Sequence, residues 1–210
     1  MLTLDPARDA FLVIDVQRDF CAGGALAAPD ADAVVAPIDG LMSRFAHVVA
    51  TQDWHPADHS SFAANHPDAA PFSVIDMPYG PQTLWPVHCV QGTPGAQFHP
   101  GLAAGRACAV VRKGMRTSID SYSAFFENDR TTPTGLGGYL RERGVARVFV
   151  AGLATDFCVS FSALDARRLG FEVVVLLDAC RAIDLDGSLG RARAAWAQAG
   201  VVVGASDRLG

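Results

Sequence analysis

Apolar residues in this chain come in short unbroken runs, separated by stretches in which they recur every three or four positions. Ala10-Phe11-Leu12-Val13-Ile14-Asp15-Val16 is the first run. It lacks the alternation of a half-exposed strand and predicts one buried on both faces. From Asp30 to Phe45, the spacing of Val34, Val35, Ile38, Leu41, Met42 and Phe45 predicts a helix, with Asp30 or Asp32 as its cap. His47 to Gln52 predicts a second strand. Patterning then lapses over residues 54–107, which are rich in Pro, His and Gly. An irregular segment of that length inside a compact domain points to function or to an element of weak periodicity. Regular signals resume with a strand at Ala109 to Lys113, a helix at Leu136 to Arg143 and a strand at Arg147 to Leu153. A helical pattern through Val159 to Arg168, a strand at Phe171 to Leu177, a helix at Ser188 to Ala199 and a strand at Gly200 to Val203 complete the chain.

This alternation predicts a three-layer α/β/α sandwich with a mostly parallel six-stranded sheet, formed as a single domain over residues 1–210. Half of the residues are apolar and 19% are charged, which suits one large core. A formal charge of −5, without any Lys/Arg cluster, argues against nucleic acid as a partner. No run approaches the ~20 apolar residues of a membrane span, and no basic segment precedes an apolar run at the N-terminus. Neither a membrane anchor nor a secretory signal is therefore expected. Five cysteines, at positions 21, 89, 108, 158 and 180, are odd in number and irregular in spacing. Reduced thiols in a cytoplasm fit them better than a disulfide framework. Assembly into a homo-oligomer stays open.

In parallel sheets, ligands bind beyond the carboxyl ends of the strands. Four predicted strands deliver reactive groups to that rim: Asp15 after the first, Asp53 and His55 after the second, Lys113 after the third and Cys158 after the fourth. Cys158 falls in the first turn of a predicted helix, where free N–H groups and the positive end of the helix dipole favour a thiolate. The same N–H groups could hold a developing oxyanion. A carboxylate beside the thiol could act as general base and then as general acid in cleaving an amide. Lys113, the only lysine in the chain, would favour the anionic forms and orient the carboxylate. Singly, each residue has an ordinary reading: a turn-forming Asp, a solvated Lys, an inert buried Cys. Their convergence on one rim is what points to an active site.

A second set comprises Asp53, His55 and His88. Residues two apart in an extended segment point to one side, so Asp53 and His55 can share one ion. Mixed carboxylate and imidazole ligands suit a divalent metal such as Zn²⁺, Fe²⁺ or Mn²⁺. His59, Ser60 and His66 lie near enough in sequence to be further ligands or their supports. The competing reading makes Asp53 a loop cap and the histidines exposed loop residues. Phe20, Trp85 and Tyr122 follow these segments and could wall a pocket for a flat ring, or simply pack in the core.

Several blocks carry a more specific signal: Phe11 to Gly24, Thr51 to Phe62 (Thr-Gln-Asp-Trp-His-Pro-Ala-Asp-His-Ser-Ser-Phe), and Trp85 to Ala96 (Trp-Pro-Val-His-Cys-Val-Gln-Gly-Thr-Pro-Gly-Ala). With Lys113-Gly114, Tyr122-Ser123-Ala124-Phe125-Phe126 and Gly152 to Val159, they run through nearly the whole length. On these motifs the chain resembles the nicotinamidase/pyrazinamidase family of isochorismatase-like cysteine hydrolases, whose fold is Rossmann-like. The resemblance implies hydrolysis of nicotinamide to nicotinate and ammonia through a cysteine thioester, serving pyridine nucleotide salvage, with pyrazinamide as a further substrate. It implies Asp15 as base and acid, Lys113 as its electrostatic partner and Cys158 as nucleophile. Asp53, His55 and His88 would hold one divalent ion that anchors the pyridine nitrogen. A cis peptide at Leu153-Ala154 would aim the N–H groups of Ala154 and Cys158 at the oxyanion, and Phe20, Trp85 and Tyr122 would line the pocket.

Three other readings stay open. One is a related amidase acting on a carbamoyl or ureido compound, against which the metal motifs speak. Another is a hydrolase in which metal-bound hydroxide attacks and Cys158 is structural. The last is a non-catalytic metal-dependent binding module, which would have no need of a nucleophile.

Overall fold

The computed structural model describes residues 2–210. Six strands form one fully parallel sheet in the order β5-β2-β1-β6-β7-β8. In chain order these are β1 Asp9–Ile14, β2 His47–Asp53, β5 Ala109–Lys113, β6 Arg147–Leu153, β7 Glu172–Arg181 and β8 Val202–Gly204. The apolar runs explain the interior: β1 is buried along its whole length, and β6 from its second residue onward. Helices α1 (Val35–Met42), α2 (Leu136–Glu142), α3 (Ser160–Arg168) and α4 (Ser188–Ala199) flank the sheet, with α3 packed on both β7 and α4. No helix among the described residues is long and apolar enough to cross a membrane.

The strand order reverses between β1 and β6. Because parallel crossovers are right-handed, the reversal sends successive connections to opposite faces and opens a crevice at the carboxyl ends of these two strands. Asp15 follows β1 and Cys158 lies five residues beyond β6, so both stand at that crevice.

Element boundaries depart from the sequence pattern in instructive ways. β1 ends at Ile14, because Asp15 adopts a positive φ of 48° and turns the chain out of the sheet. The helix expected over 30–45 splits into a 3₁₀ turn at Ala31–Val34 and then α1. Neither aspartate caps it. Asp30 sits in the cap position without a side-chain bond, and the Asp32 carboxylate instead accepts the Ala22 N–H at 2.8 Å. The last strand starts at Val202, since Gly200 closes α4 in a left-handed conformation. Within the irregular region lies a small antiparallel hairpin, β3 Val74–Met77 with β4 Gly80–Thr83. Its alternating Val74-Ile75-Asp76-Met77 and the following Pro78-Tyr79-Gly80 are a faint hairpin signal.

One backbone position fixes how closely the central strands meet. Gly152 pairs with Ile14 on one side and Cys180 on the other, where the β6–β7 register shifts. Its φ is +130°, and a β-carbon there would come within 2.0 Å of the Ile14 carbonyl oxygen. Gly152→Ala is expected to lower the unfolding free energy in urea by about 2–4 kcal/mol. Gly138→Ala, on the open face of α2 with nothing within 4 Å of the added carbon, should be neutral or stabilising by up to about 1 kcal/mol.

Candidate active site

Lys113 is the last residue of β5, and its side chain is fully buried at the crevice. The ammonium lies 2.8 Å from Asp15 Oδ2, donates to Asp53 Oδ1 and to the Ser121 carbonyl (2.9 Å), and reaches Cys158 Sγ at 3.4 Å. A single cation therefore touches all of the groups expected to carry the chemistry. Asp15 is held from its other side: Thr51 Oγ1 donates to Oδ1 at 2.6 Å and accepts the Asp15 N–H at 3.1 Å. The contact of Oδ2 with the ammonium is an ion pair rather than a directed hydrogen bond, which leaves this buried oxygen without a hydrogen-bond partner. Asp15 lies close to the thiol: Asp15, Asp53 and Cys158 each place one carboxylate oxygen or sulfur within 4.8 Å of the others'.

The turn before Cys158 is not an ordinary first turn of α-helix. Thr155–Val159 form one π-helical turn, with the Val159 N–H donating to the Ala154 carbonyl five residues back at 3.1 Å. Such turns concentrate at functional sites. The Leu153-Ala154 peptide is cis. A helix start favours a thiolate, but stronger influences act on the Cys158 thiol here. Burial pushes it well above the usual thiol range, and although Lys113 works against this, Asp15 and Asp53 reinforce it. Burial likewise raises Asp15, with the Asp53 charge adding to it and Lys113 opposing. The resting pair is a neutral thiol facing a carboxylate of raised basicity.

Asp53 divides its two oxygens between two tasks. Oδ1 faces Lys113, while Oδ2 lies 3.7 Å from His55 Nε2 and 3.9 Å from His88 Nε2. Both rings are oriented from behind: His55 Nδ1 donates to the Gly114 carbonyl at 2.9 Å and His88 Nδ1 to the Pro86 carbonyl at 2.8 Å. That fixes the tautomers and turns both Nε2 lone pairs toward Asp53, the arrangement a metal centre requires. Burial and the neighbouring His55 pull His88 down to about 4, so it stays an unprotonated ligand at neutral pH. Burial also weighs against charge on Asp53, yet the Lys113 ammonium is the chief influence that holds the carboxylate ionised.

His88 reaches the site because its segment is stitched to the end of β2. The His55 N–H donates to the Cys89 carbonyl (3.0 Å) and the Gln91 N–H to the His55 carbonyl (2.9 Å). His59, buried beside His55 with ring centroids 4.3 Å apart, has both nitrogens engaged. Nδ1 accepts the Ser61 N–H at 3.3 Å, which assigns the proton to Nε2, and Nε2 donates to the Ile119 carbonyl at 3.3 Å. His66 Nε2 donates to the Ser60 carbonyl at 2.7 Å, and Ser60 Oγ is buried without a partner. Neither His59 nor His66 joins the Asp53/His55/His88 cluster; His59 instead groups with His55 and Asp120.

Phe20, Trp85 and Tyr122 all line a narrow cleft of about 330 Å³, open mouth included, with Cys158 and the Asp53/His55/His88 set at its floor. The Trp85 indole N–H donates to the Tyr122 hydroxyl at 3.1 Å and fixes the two rings edge to face.

The match to the family model described as the isochorismatase domain spans residues 9–207. The chain belongs to the isochorismatase family. The nicotinamidase of Acinetobacter baylyi is 53% identical over 180 residues, covering 86% of this chain and 84% of that protein. Among solved structures, an Acinetobacter baumannii nicotinamidase/pyrazinamidase superposes with a TM-score of 0.96 at 52% identity, over 97% and 99% of the two chains. A Leishmania infantum relative in complex with nicotinate gives 0.88 at 42% identity, over 100% and 98%. A Pyrococcus horikoshii pyrazinamidase in complex with zinc gives 0.77 at 35% identity, over 94% and 99%.

Within this isochorismatase-family site, several supporting residues escaped the sequence reading. Gln17 clasps the backbone of Asp53, donating to its carbonyl and accepting its N–H, both at 2.8 Å. Its only signal was its place two residues after Asp15. Gly114 (φ +63°) leaves room for the His55 ring, whose Cε1 would meet an added β-carbon at 2.4 Å. Phe157, next to the nucleophile, stands edge to face with Trp85 at 4.9 Å and completes the aromatic wall.

Removing Lys113 would leave two buried carboxylates facing one another without a cation. Lys113→Met, measured by urea unfolding in the presence of a chelator, is expected to lose about 3–5 kcal/mol. Arg106→Ala, which breaks the exposed pair with Asp39 at 3.6 Å, should lose less than about 1 kcal/mol.

Proposed function

We propose that this chain is an amidohydrolase that converts nicotinamide to nicotinate and ammonia through a thioester at Cys158. The observation that carries the reading is the single buried cation joining Asp15, Cys158 and Asp53, with Asp53 turned on its far side to two imidazoles at the floor of an aromatic cleft. A metal-free amidase would need only the first half of that arrangement. The nicotinamidases among its relatives supply the substrate class.

The donor set fits a divalent metal: one ionised carboxylate oxygen and two Nε2 lone pairs converge, with each imidazole backed by a carbonyl. Asp53, His55 and His88 would hold the ion, for which zinc, iron and manganese are all suitable. When bound, it supplies a Lewis acid to which a ring nitrogen of the substrate can attach. Phe20, Trp85 and Tyr122 would sandwich the flat ring and set the carboxamide over Cys158.

The remaining steps belong to the protein. As Sγ attacks the carboxamide carbon, Asp15 Oδ2 accepts the thiol proton, and Lys113 compensates the charge passing between them. The backbone N–H groups of Ala154 and Cys158 would receive the carbonyl oxygen as it becomes an oxyanion. Asp15 then gives its proton to the leaving nitrogen; the C–N bond breaks, ammonia departs and a thioester remains. In the second half Asp15 takes a proton from water, the oxygen attacks the thioester carbon, and the C–S bond breaks. The thiol recovers its proton from Asp15, and nicotinate leaves. A burial-raised Asp15 suits this exchange, because a stronger base removes the proton and a weaker acid can still return it. Pyrazinamide, with the same carboxamide on a flat ring, is expected to follow the same course. We read the activity as serving pyridine nucleotide salvage, since nicotinate is the deamidated ring from which such nucleotides can be rebuilt.

Cys158→Ala is expected to reduce ammonia release from nicotinamide at least about 10³-fold, while nicotinate binding by calorimetry persists. Asp53→Ala should lose its metal after gel filtration and weaken nicotinate binding. Near-normal turnover by Cys158→Ala would favour attack by metal-bound hydroxide instead. Ammonia release across a panel of aromatic, carbamoyl and ureido amides, with and without chelator, separates nicotinamide hydrolysis from related amidase activities.

A further inference from the structure

Asp156 is buried two residues before the nucleophile, yet its carboxylate makes none of the contacts described for the reacting groups. It accepts the Ile183 N–H on Oδ1 at 3.1 Å, and the Asp184 N–H (2.7 Å) and the Ser188 hydroxyl on Oδ2. One side chain thus ties the turn bearing Cys158 to the segment between β7 and the first residue of α4. That segment is not held by its own conformational preference. Asp184 (φ 54°) and Asp186 (φ 49°) both occupy the left-handed region without being glycine, and Gly187 (φ 76°) joins them. Two such residues in three positions cost about 1 kcal/mol or more each, and bonds at both ends hold the shape: Arg191 donates to the Leu185 and Asp186 carbonyls and the Leu189 N–H to Asp184 Oδ1 on the α4 side, while Asp156 anchors the side nearest Ile183. Ile183, at the start of this segment, is one of the two aliphatic side chains larger than alanine, with Leu26, that line the ring cleft.

From this juxtaposition we infer that Asp156 is a positioning residue for substrate selection: by anchoring residues 183–188 it sets the place of Ile183, and Ile183 sets the width of the cleft. The selected class is a single six-membered ring bearing a carboxamide; a fused second ring is excluded by the Ile183 side chain. The inference rests on the amidase reading above and adds to it a determinant of ring size outside the reacting groups. The side chain suits the role, because its two oxygens offer acceptors and all three partners are donors.

The test compares kcat and KM for nicotinamide and for quinoline-3-carboxamide, the same amide on a fused bicycle, in the full-length protein and in Asp156→Ala, Asp156→Asn, Ser188→Ala and Ile183→Ala. Ile183→Ala and Asp156→Ala are each expected to lower the preference for nicotinamide, expressed as the ratio of kcat/KM values, by about tenfold. In Asp156→Ala the change should fall mainly on KM. Asp156→Asn keeps the shape but sets an NH₂ against a donor, so it should fall between the wild type and Asp156→Ala, and Ser188→Ala should shift the ratio in the same direction by less. Should Asp156→Ala fail to fold, the other three variants still decide the matter. An unchanged ratio in Ile183→Ala, or an unchanged ratio in both Asp156→Asn and Ser188→Ala, overturns the inference. A mere loss of stability would lower active protein for both substrates alike and leave the ratio fixed. Failure of the unaltered protein to release ammonia from nicotinamide would instead overturn the amidase reading, and the two failures are told apart by that first arm.

Discussion

Everything at the crevice depends on one ammonium group removed from water. Lys113 is buried among two carboxylates, a thiol and a backbone carbonyl. Isolating a cation there would be prohibitive, and isolating either carboxylate nearly as bad; together they are tolerable because each desolvated charge meets its opposite. The arrangement holds two anions and one cation before any metal is considered. Burial, with the Asp53 charge adding to it, lifts Asp15 above the ordinary carboxylate range, and the surplus negative charge makes the pair of imidazoles beside Asp53 a ready site for a divalent cation.

Seen this way, the nucleophilic half and the metal half are one electrostatic unit with Asp53 as the shared member. Its Oδ1 belongs to Lys113 and its Oδ2 to the histidines. Charge placed on the histidine side alters how strongly Asp53 competes for the ammonium, and hence how basic Asp15 is. The fold makes the union possible through its strand order. β5, β2, β1 and β6 are consecutive neighbours, and each delivers one member or one pair of members at its carboxyl end. Gln17 and Thr51 then lock the carboxylates, bonding Asp53's backbone and Asp15's side chain across adjacent strands.

Much of this was legible in the sequence, for a physical reason. Parallel strands end at a common rim, so reactive side chains at or just beyond the ends of the apolar runs stand out, and Asp15, Asp53, Lys113 and Cys158 were found that way. Trp85 and His88 were named from their residue types without a predicted element to place them, because the path from residue 56 to 108 is set largely by backbone bonds between loops, such as Gln91 to His55, which leave no periodic trace. The division of labour within Asp53 was hidden too, since which oxygen faces which partner exists only once β2 and β5 are paired. The charge of Cys158 stayed open in the sequence: a helix-start position favours a thiolate, but burial, reinforced by Asp15 and Asp53, outweighs Lys113. The β3–β4 hairpin was faint because its residues are largely exposed and carry little apolar contrast.

The central claim is that a neutral Cys158 thiol, deprotonated by Asp15 as substrate reacts, forms the covalent bond. Rapid acid quench of the protein mixed with excess nicotinamide, followed by mass spectrometry of the peptide carrying Cys158, tests it most directly. The account predicts a nicotinoyl adduct on Cys158 that appears within the first turnover and disappears when substrate is exhausted. Ammonia release through that first turnover with Cys158 unmodified at every time point would contradict it.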